Sequence, residues 1–128
     1  MPFLFHVDEG TRVFHVQAIG EVNDAELIDL SNSLRQEGAF VFGYPMLCDC
    51  SALTAVLISS SLIESLAMAA RSRTNFVAVV APSAVAFGLA RMYQIFSDPE
   101  DARIHVFGRP EDARTWLDAV VEGLTLRA

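Results

Sequence analysis

Residues 46–70 read MLCDCSALTAVLISSSLIESLAMAA. This stretch holds both cysteines (Cys48, Cys50), an acid-and-hydroxyl step (Asp49, Ser51) and three consecutive serines (Ser59, Ser60, Ser61). An aspartate near a serine has the residue types that acid–base or nucleophilic chemistry uses. The same aspartate can instead bond the backbone N–H groups of the following turn. No second titratable group stands in a fixed motif beside Asp49, so the structural role is the expected one. Serines opening a helix have two uses of their own. A phosphate placed there meets free N–H groups and the positive end of the helix dipole, whereas an unmodified serine simply caps. The sequence holds no G-x-S-x-G, P-loop, H-E-x-x-H or G-x-G-x-x-G pattern. We assign no catalytic residue.

Cys48 and Cys50 stand at i and i+2, on one face of a strand with Asp49 opposite. They read as small buried hydrophobes of a reduced, cytoplasmic protein; two thiols are half a zinc site at most. His6 and His15 fall on one side of a hairpin as diagonal neighbours, too few for a metal, and His105 has no evident partner. Neither a metal nor a cofactor is expected. Arg71 and Arg73 end a helix, where cations suit the dipole. Arg91 is the one charge inside an otherwise apolar helix; it either snorkels to solvent or pairs with an acid at an interface, the second reading being slightly favoured.

The elements that must position these residues follow from patterning. Residues 2–8 and 12–20 alternate around Glu9-Gly10 and predict a hairpin, with Asp8 facing Thr11 and Phe3, Phe5, Val7, Phe14 and Val16 on the core face. Asn23 with Glu26 is a capping box before Leu27, Leu30 and Leu34, and Gly38 closes that helix. An apolar, aromatic loop carries Phe40, Phe42 and Tyr44. A short buried strand over 46–50 ends at the Asp49–Ser51 step; a loop follows. Ser61 with Glu64 opens a helix over 62–72. FVAVVA (76–81) is a continuous apolar run, as in a strand covered on both faces. Ser83 caps a helix over 84–96 that carries Phe87, Met92 and Tyr93 and is apolar around most of its circumference, so it must be buried on more than one side. Asp98-Pro99 ends it. A last strand spans 103–107, and Pro110 starts a helix over 111–122. The order β-β-α-β-α-β-α-β-α predicts one α/β domain over residues 1–128, with a mixed, mostly parallel sheet, an antiparallel N-terminal strand and about four helices.

The chain has 128 residues, 52% of them hydrophobic, a formal charge of −7, nine arginines and no lysine. Its mean hydropathy is +0.36. An acidic chain without a basic cluster is a poor fit to nucleic acid. No apolar run approaches the ~20 residues of a membrane span, and the N-terminus lacks the basic region of a signal peptide. The excess apolar surface points to a homodimer.

This element order, with Asp49–Ser51 following a buried strand and Ser59–Ser61 at the next helix start, resembles the STAS/SpoIIAA-like superfamily. The segment FVAVVAPSAVAFGLARMYQIF (76–96) is most similar to small bacterial SpoIIAA-like, or STAS/CRAL-TRIO-like, proteins of unassigned function. The resemblance implies the fold and a non-catalytic interaction or regulatory module with a protein partner. In the anti-sigma-factor antagonists of the superfamily, a serine at this helix start is phosphorylated by a partner kinase. The pattern there is an acid, two small hydroxyl residues and a glycine; here the acid and the glycine are missing. Ser59, Ser60, Ser61, Asp49 and Ser51 are therefore expected as a contact or phospho-acceptor surface. The CRAL-TRIO side implies an alternative, a binder of a lipid or other apolar small molecule. Phe40, Phe42, Tyr44, Phe87, Arg91, Met92 and Tyr93 then form either an apolar cleft or an interface. An apolar cavity of a few hundred Å3 would favour the ligand binder.

Overall fold

The computed structural model describes residues 2–38, 43–100 and 102–127, with side chains described as far as residue 123. The expected loop residues Phe40 and Phe42 lie outside the described residues. Five strands form one sheet in sequential order: β1 (Phe3–Asp8), β2 (Val13–Asn23), β3 (Met46–Leu57), β4 (Val77–Val80) and β5 (Ile104–Phe107). β1 and β2 are antiparallel, and every other pairing is parallel. The helices are α1 (Asp24–Leu34), α2 (Ser60–Ala69), α3 (Ala84–Ser97) and α4 (Pro110–Arg127), with a 3-10 turn over Ala70–Ser72. The element order is the one the patterning predicts.

Alternation sorts the side chains onto two faces. One face carries Phe14, Val16, Met46 and Cys48 in register, and Val77 and Val79 continue it on β4. Phe14 and Val16 are almost fully buried there against Leu27, Leu30 and Leu34 of α1. The opposite face packs Val13, Leu47, Ala78 and Val80 against Ala113 and Leu117 of α4, with Trp116 and Phe107 beside them.

The hairpin register differs from the expected one by two residues. Asp8 pairs with Val13, and His6 sits directly opposite His15. The longer turn is built by the Asp8 carboxylate, which accepts from the N–H groups of Gly10 (3.0 Å) and Thr11 (3.2 Å). Arg12 takes a left-handed φ of 57°. A slip of two leaves each side chain on its face; Phe14 and Val16 are core as expected, whereas Phe5 on the edge strand is exposed.

The larger departure is β3. It does not end near Ser51 but continues to Leu57, paired with β2 alone beyond Asp49. Two register shifts accompany this extension, one between Gln17 and Ile19 and one between Gly20 and Glu21. Gly20 has φ +76° at the second, a conformation in which glycine carries no Cβ penalty. α1 has both arms of its capping box, Glu26 N–H to Asn23 at 2.9 Å and Asn23 N–H to Glu26 at 3.1 Å. It ends at Leu34 with a right-handed cap at Arg35, short of Gly38.

α3 is not buried on several sides within the chain. Val85 and Ile95 are more than half exposed and Phe87 about a third, while Gln94 and Ser97 are buried. Arg91 donates to Gln94 on its own helix, not to an acid. Beyond α3, the buried Asp98 carboxylate accepts from the backbone N–H groups of Arg103 (2.7 Å) and Ile104 (2.9 Å) and so starts β5. Burial pushes this carboxyl up, but those N–H bonds and the Arg103 charge outweigh it and hold it below the usual aspartate value. Its stabilisation is therefore present above the unfolded-state pKa of about 3.9 and is lost as pH falls through the lower folded value. Asp98→Ala is expected to cost about 2 kcal/mol at pH 7, as two N–H groups lose a charged acceptor. Urea unfolding of both proteins at pH 7 and in acid checks this; the gap should shrink in acid.

Candidate functional site

The parallel topology places the N-termini of α1 and α2 together, at the ends of β2 and β3. Ser59, not Ser61, caps α2, its Oγ accepting from the Leu62 N–H at 3.3 Å. Ser59 also donates to Asp24, the first residue of α1, through both its N–H (2.8 Å) and its hydroxyl (2.9 Å). Ser61 donates to the Ser59 Oγ at 3.4 Å. All three serines are exposed. Asp24, 35 positions upstream, is thus brought beside Ser59. Sequence reasoning missed this residue. Its signal is an acid opening the helix that follows the neighbouring parallel strand.

Asp49 and Ser51 do not join this cluster. The Asp49 carboxylate accepts from the Ser51 N–H at 2.9 Å, and Asp49 is on the sheet face opposite Cys48. The aspartate–serine step therefore folds its own strand locally.

A cavity of about 230 Å3 lies between the sheet and α1, α2 and α3. Its floor is Met46, Cys48 and Cys50 of β3 with Val77 and Val79 of β4; Leu53 and Val56 of the β3 extension form a side wall. Leu27, Leu30 and Leu34 of α1, Ile63 and Leu66 of α2, and Leu89 and Tyr93 of α3 roof it. Of the expected cleft residues, Tyr93 lines the cavity. Tyr44 packs beside it against the Phe14 core, its carbonyl accepting from Asn75 Nδ2 at 3.1 Å. Phe87 and Arg91 face outward.

The two thiols face this space as free cysteines with Sγ atoms 4.0 Å apart, within hydrogen-bond reach of one another. A hydrogen bond between them, with burial and the Asp49 charge, pushes Cys48 well above the ordinary thiol value. Burial likewise pushes the Tyr93 phenol up, against the opposing charges of Arg73 and Arg103. Arg103 donates to the carbonyls of Asn75 (3.2 Å) and Ser97 (3.4 Å). Arg71 donates to the Phe96 carbonyl at 2.7 Å, closing the end of α3 instead of its own helix.

The histidines lie away from the cavity. His6 and His15 lie against one another with ring centroids 5.6 Å apart and planes tilted by 41°. Burial and His6 hold His15 below its ordinary value, with Asp8 opposing and Arg114 of α4 adding to the depression. His105 lies against Trp116 on the same face, 4.6 Å between centroids. Among the described residues, no three His, Cys, Asp or Glu side chains stand close enough to hold a metal ion. No described histidine or carboxylate lines the cavity. The titratable groups that do line it are the two thiols, the Tyr93 phenol and the arginines.

No protein-family model matches the sequence, and no curated protein matches it. Among the solved structures that share the architecture are two crystal structures. One is an uncharacterized protein of the DUF3478 family with a SpoIIAA-like fold, from Shewanella loihica PV-4. It is 16% identical over 90% of this chain and 91% of that one, with a TM-score of 0.59. The chain has the SpoIIAA-like fold. The other is an anti-sigma factor antagonist from Mycobacterium paratuberculosis, 17% identical over 91% of this chain and 92% of that one, with a TM-score of 0.55. The expected SpoIIAA-like architecture, a mostly parallel sheet with an antiparallel N-terminal strand, is thus present on both counts: strand order and neighbours. No helix among the described residues is long and apolar enough to cross a membrane.

Proposed function

We propose that this SpoIIAA-like chain is a non-catalytic binding module whose ligand is an apolar or amphipathic small molecule. The cavity beneath α1, α2 and α3 carries this reading. At about 230 Å3 it exceeds the ~150 Å3 of an engineered apolar cavity that takes up benzene. Its walls are mostly leucine, isoleucine, valine, methionine and thiol surface with a few polar side chains, the composition of small-molecule pockets. A non-catalytic role is supported by the local commitment of Asp49 to Ser51. A reducing, cytoplasmic setting is part of the proposal and is supported by the free thiols.

A second reading, a regulatory module that meets a protein partner, is favoured by the exposed serines at the α2 N-terminus and the Asp24–Ser59 bridge. The anti-sigma factor antagonist with this fold supports it. Asp24 opposes a phosphate on Ser59 by like charge, so Ser60 and Ser61 are the acceptors to examine. The homodimer belongs to this proposal as well. Its support is the apolar face of α3, with Val85, Phe87 and Ile95 exposed.

Three measurements separate these ideas. 1-Decanol at about 100 times its Kd is expected to stabilise the protein by about 2.7 kcal/mol in a thermal melt. Ala90→Phe, which fills the cavity from α3, should abolish that shift while the melt stays cooperative. No shift with the native chain overturns the ligand reading. Intact-mass analysis of protein from its native host tests the regulatory reading: phosphate on Ser60 or Ser61 supports a switch, and its absence under varied growth conditions removes it. Light scattering at micromolar concentration should give a dimer; a strict monomer removes that part.

A further inference from the structure

The polar groups of the cavity are unevenly placed. Arg35, Arg73 and Arg103 all line it, three of the nine arginines of a chain whose formal charge is −7. They come from three separate segments: the C-cap of α1, the end of the 3-10 turn after α2, and the residue before β5. In a parallel α/β layer, helix C-termini and strand N-termini lie at one end of the sheet. The same topology that puts Asp24 and Ser59 together thus gathers these three cations at the opposite end. Asn75, just before β4, and Tyr93 line this end too. The other end is lined by Val56, Ile63 and Ala86, all apolar.

We infer that the cavity takes an amphipathic molecule with one anionic head group, a carboxylate being the simplest. The head sits at the Arg73–Arg103 end and the tail runs toward Ile63 and Ala86. This rests on the ligand-binding reading above and adds the chemical class. Arg103 is already oriented by its bonds to the Asn75 and Ser97 carbonyls, so its charge is held in place before a ligand arrives. Asp98, the acid that feels the Arg103 charge, is spent on the backbone N–H groups of Arg103 and Ile104. A guanidinium fork suits a carboxylate or phosphate, and the low-dielectric walls strengthen that attraction. From Ile63 to Arg73 the chain of α2 and its last turn rises by about 15 Å, which suits an alkyl chain of about ten carbons.

Isothermal titration calorimetry at low salt with decanoate, decyl phosphate and 1-decanol tests this. Decanoate is expected to bind the native protein roughly tenfold or more tighter than 1-decanol, as a charged hydrogen bond adds. Arg73→Gln should bring the ratio to about threefold or less; Arg35→Gln provides a second variant should the first fail to fold. Decyl phosphate binding tighter than decanoate supports the anionic class and assigns the head as a phosphate. Equal binding of decanoate and 1-decanol, or a ratio that Arg73→Gln and Arg35→Gln leave in place, overturns the head-group assignment while the apolar cavity stands. Failure of all three probes to bind overturns both.

Discussion

The parallel pairing of β2 with β3 is the constraint on which the rest of this structure depends. The two strands run side by side from Phe14 and Met46 to Asn23 and Leu57, well past the short β4 and β5. Where they end, two helices must begin almost together. Asn23 caps α1 and Ser59 caps α2, and Asp24 ties the two starts through two hydrogen bonds. Because both helices then return along the same sheet face, their C-terminal ends are brought together at the far edge. The extension of β3 beyond β4 also supplies Leu53 and Val56 to the cavity lining.

Strict alternation along the strands then divides the chemistry. His6, His15, His105 and Asp49 fall on the face shared with α4, while Cys48, Cys50, Met46 and Val79 fall on the face under α1, α2 and α3. Neighbours in sequence therefore share no environment: Asp49 stands between two thiols and meets neither the cavity nor Ser59. The small cross-section of cysteine at two successive inward positions leaves room between floor and roof that bulkier side chains would fill. A sheet of this kind with large residues at those positions would be packed solid.

Much of the architecture was legible because it depends on local signals. The Asn23–Glu26 capping box, the FVAVVA strand, the Pro110 helix start and the order of elements each follow from residues close in the chain. Boundaries that depend on a partner strand were not. The apparent end of β3 near Ser51 reflected turn-forming residue types, yet β2 offers pairing as far as Leu57, and that tertiary hydrogen bonding overrides the local preference. In the same way Ser61 with Glu64 is the better capping pattern on paper, but Asp24 holds Ser59 and starts the helix two residues sooner. α3 shows the converse case: its all-round apolarity read as burial, while the structure buries Gln94 and leaves Val85 and Ile95 outside.

By itself the sequence determined the class of fold, the succession of strands and helices, and which strand residues share a face, since periodicity and caps act over a few residues. Only the tertiary structure decided what those residues do. Arg35, Arg73 and Arg103 are far apart in the chain and unremarkable one by one, as are Asp24 and Ser59. They meet because parallel strands send every helix start to one end of the sheet and every helix end to the other. No local pattern in the sequence encodes that gathering.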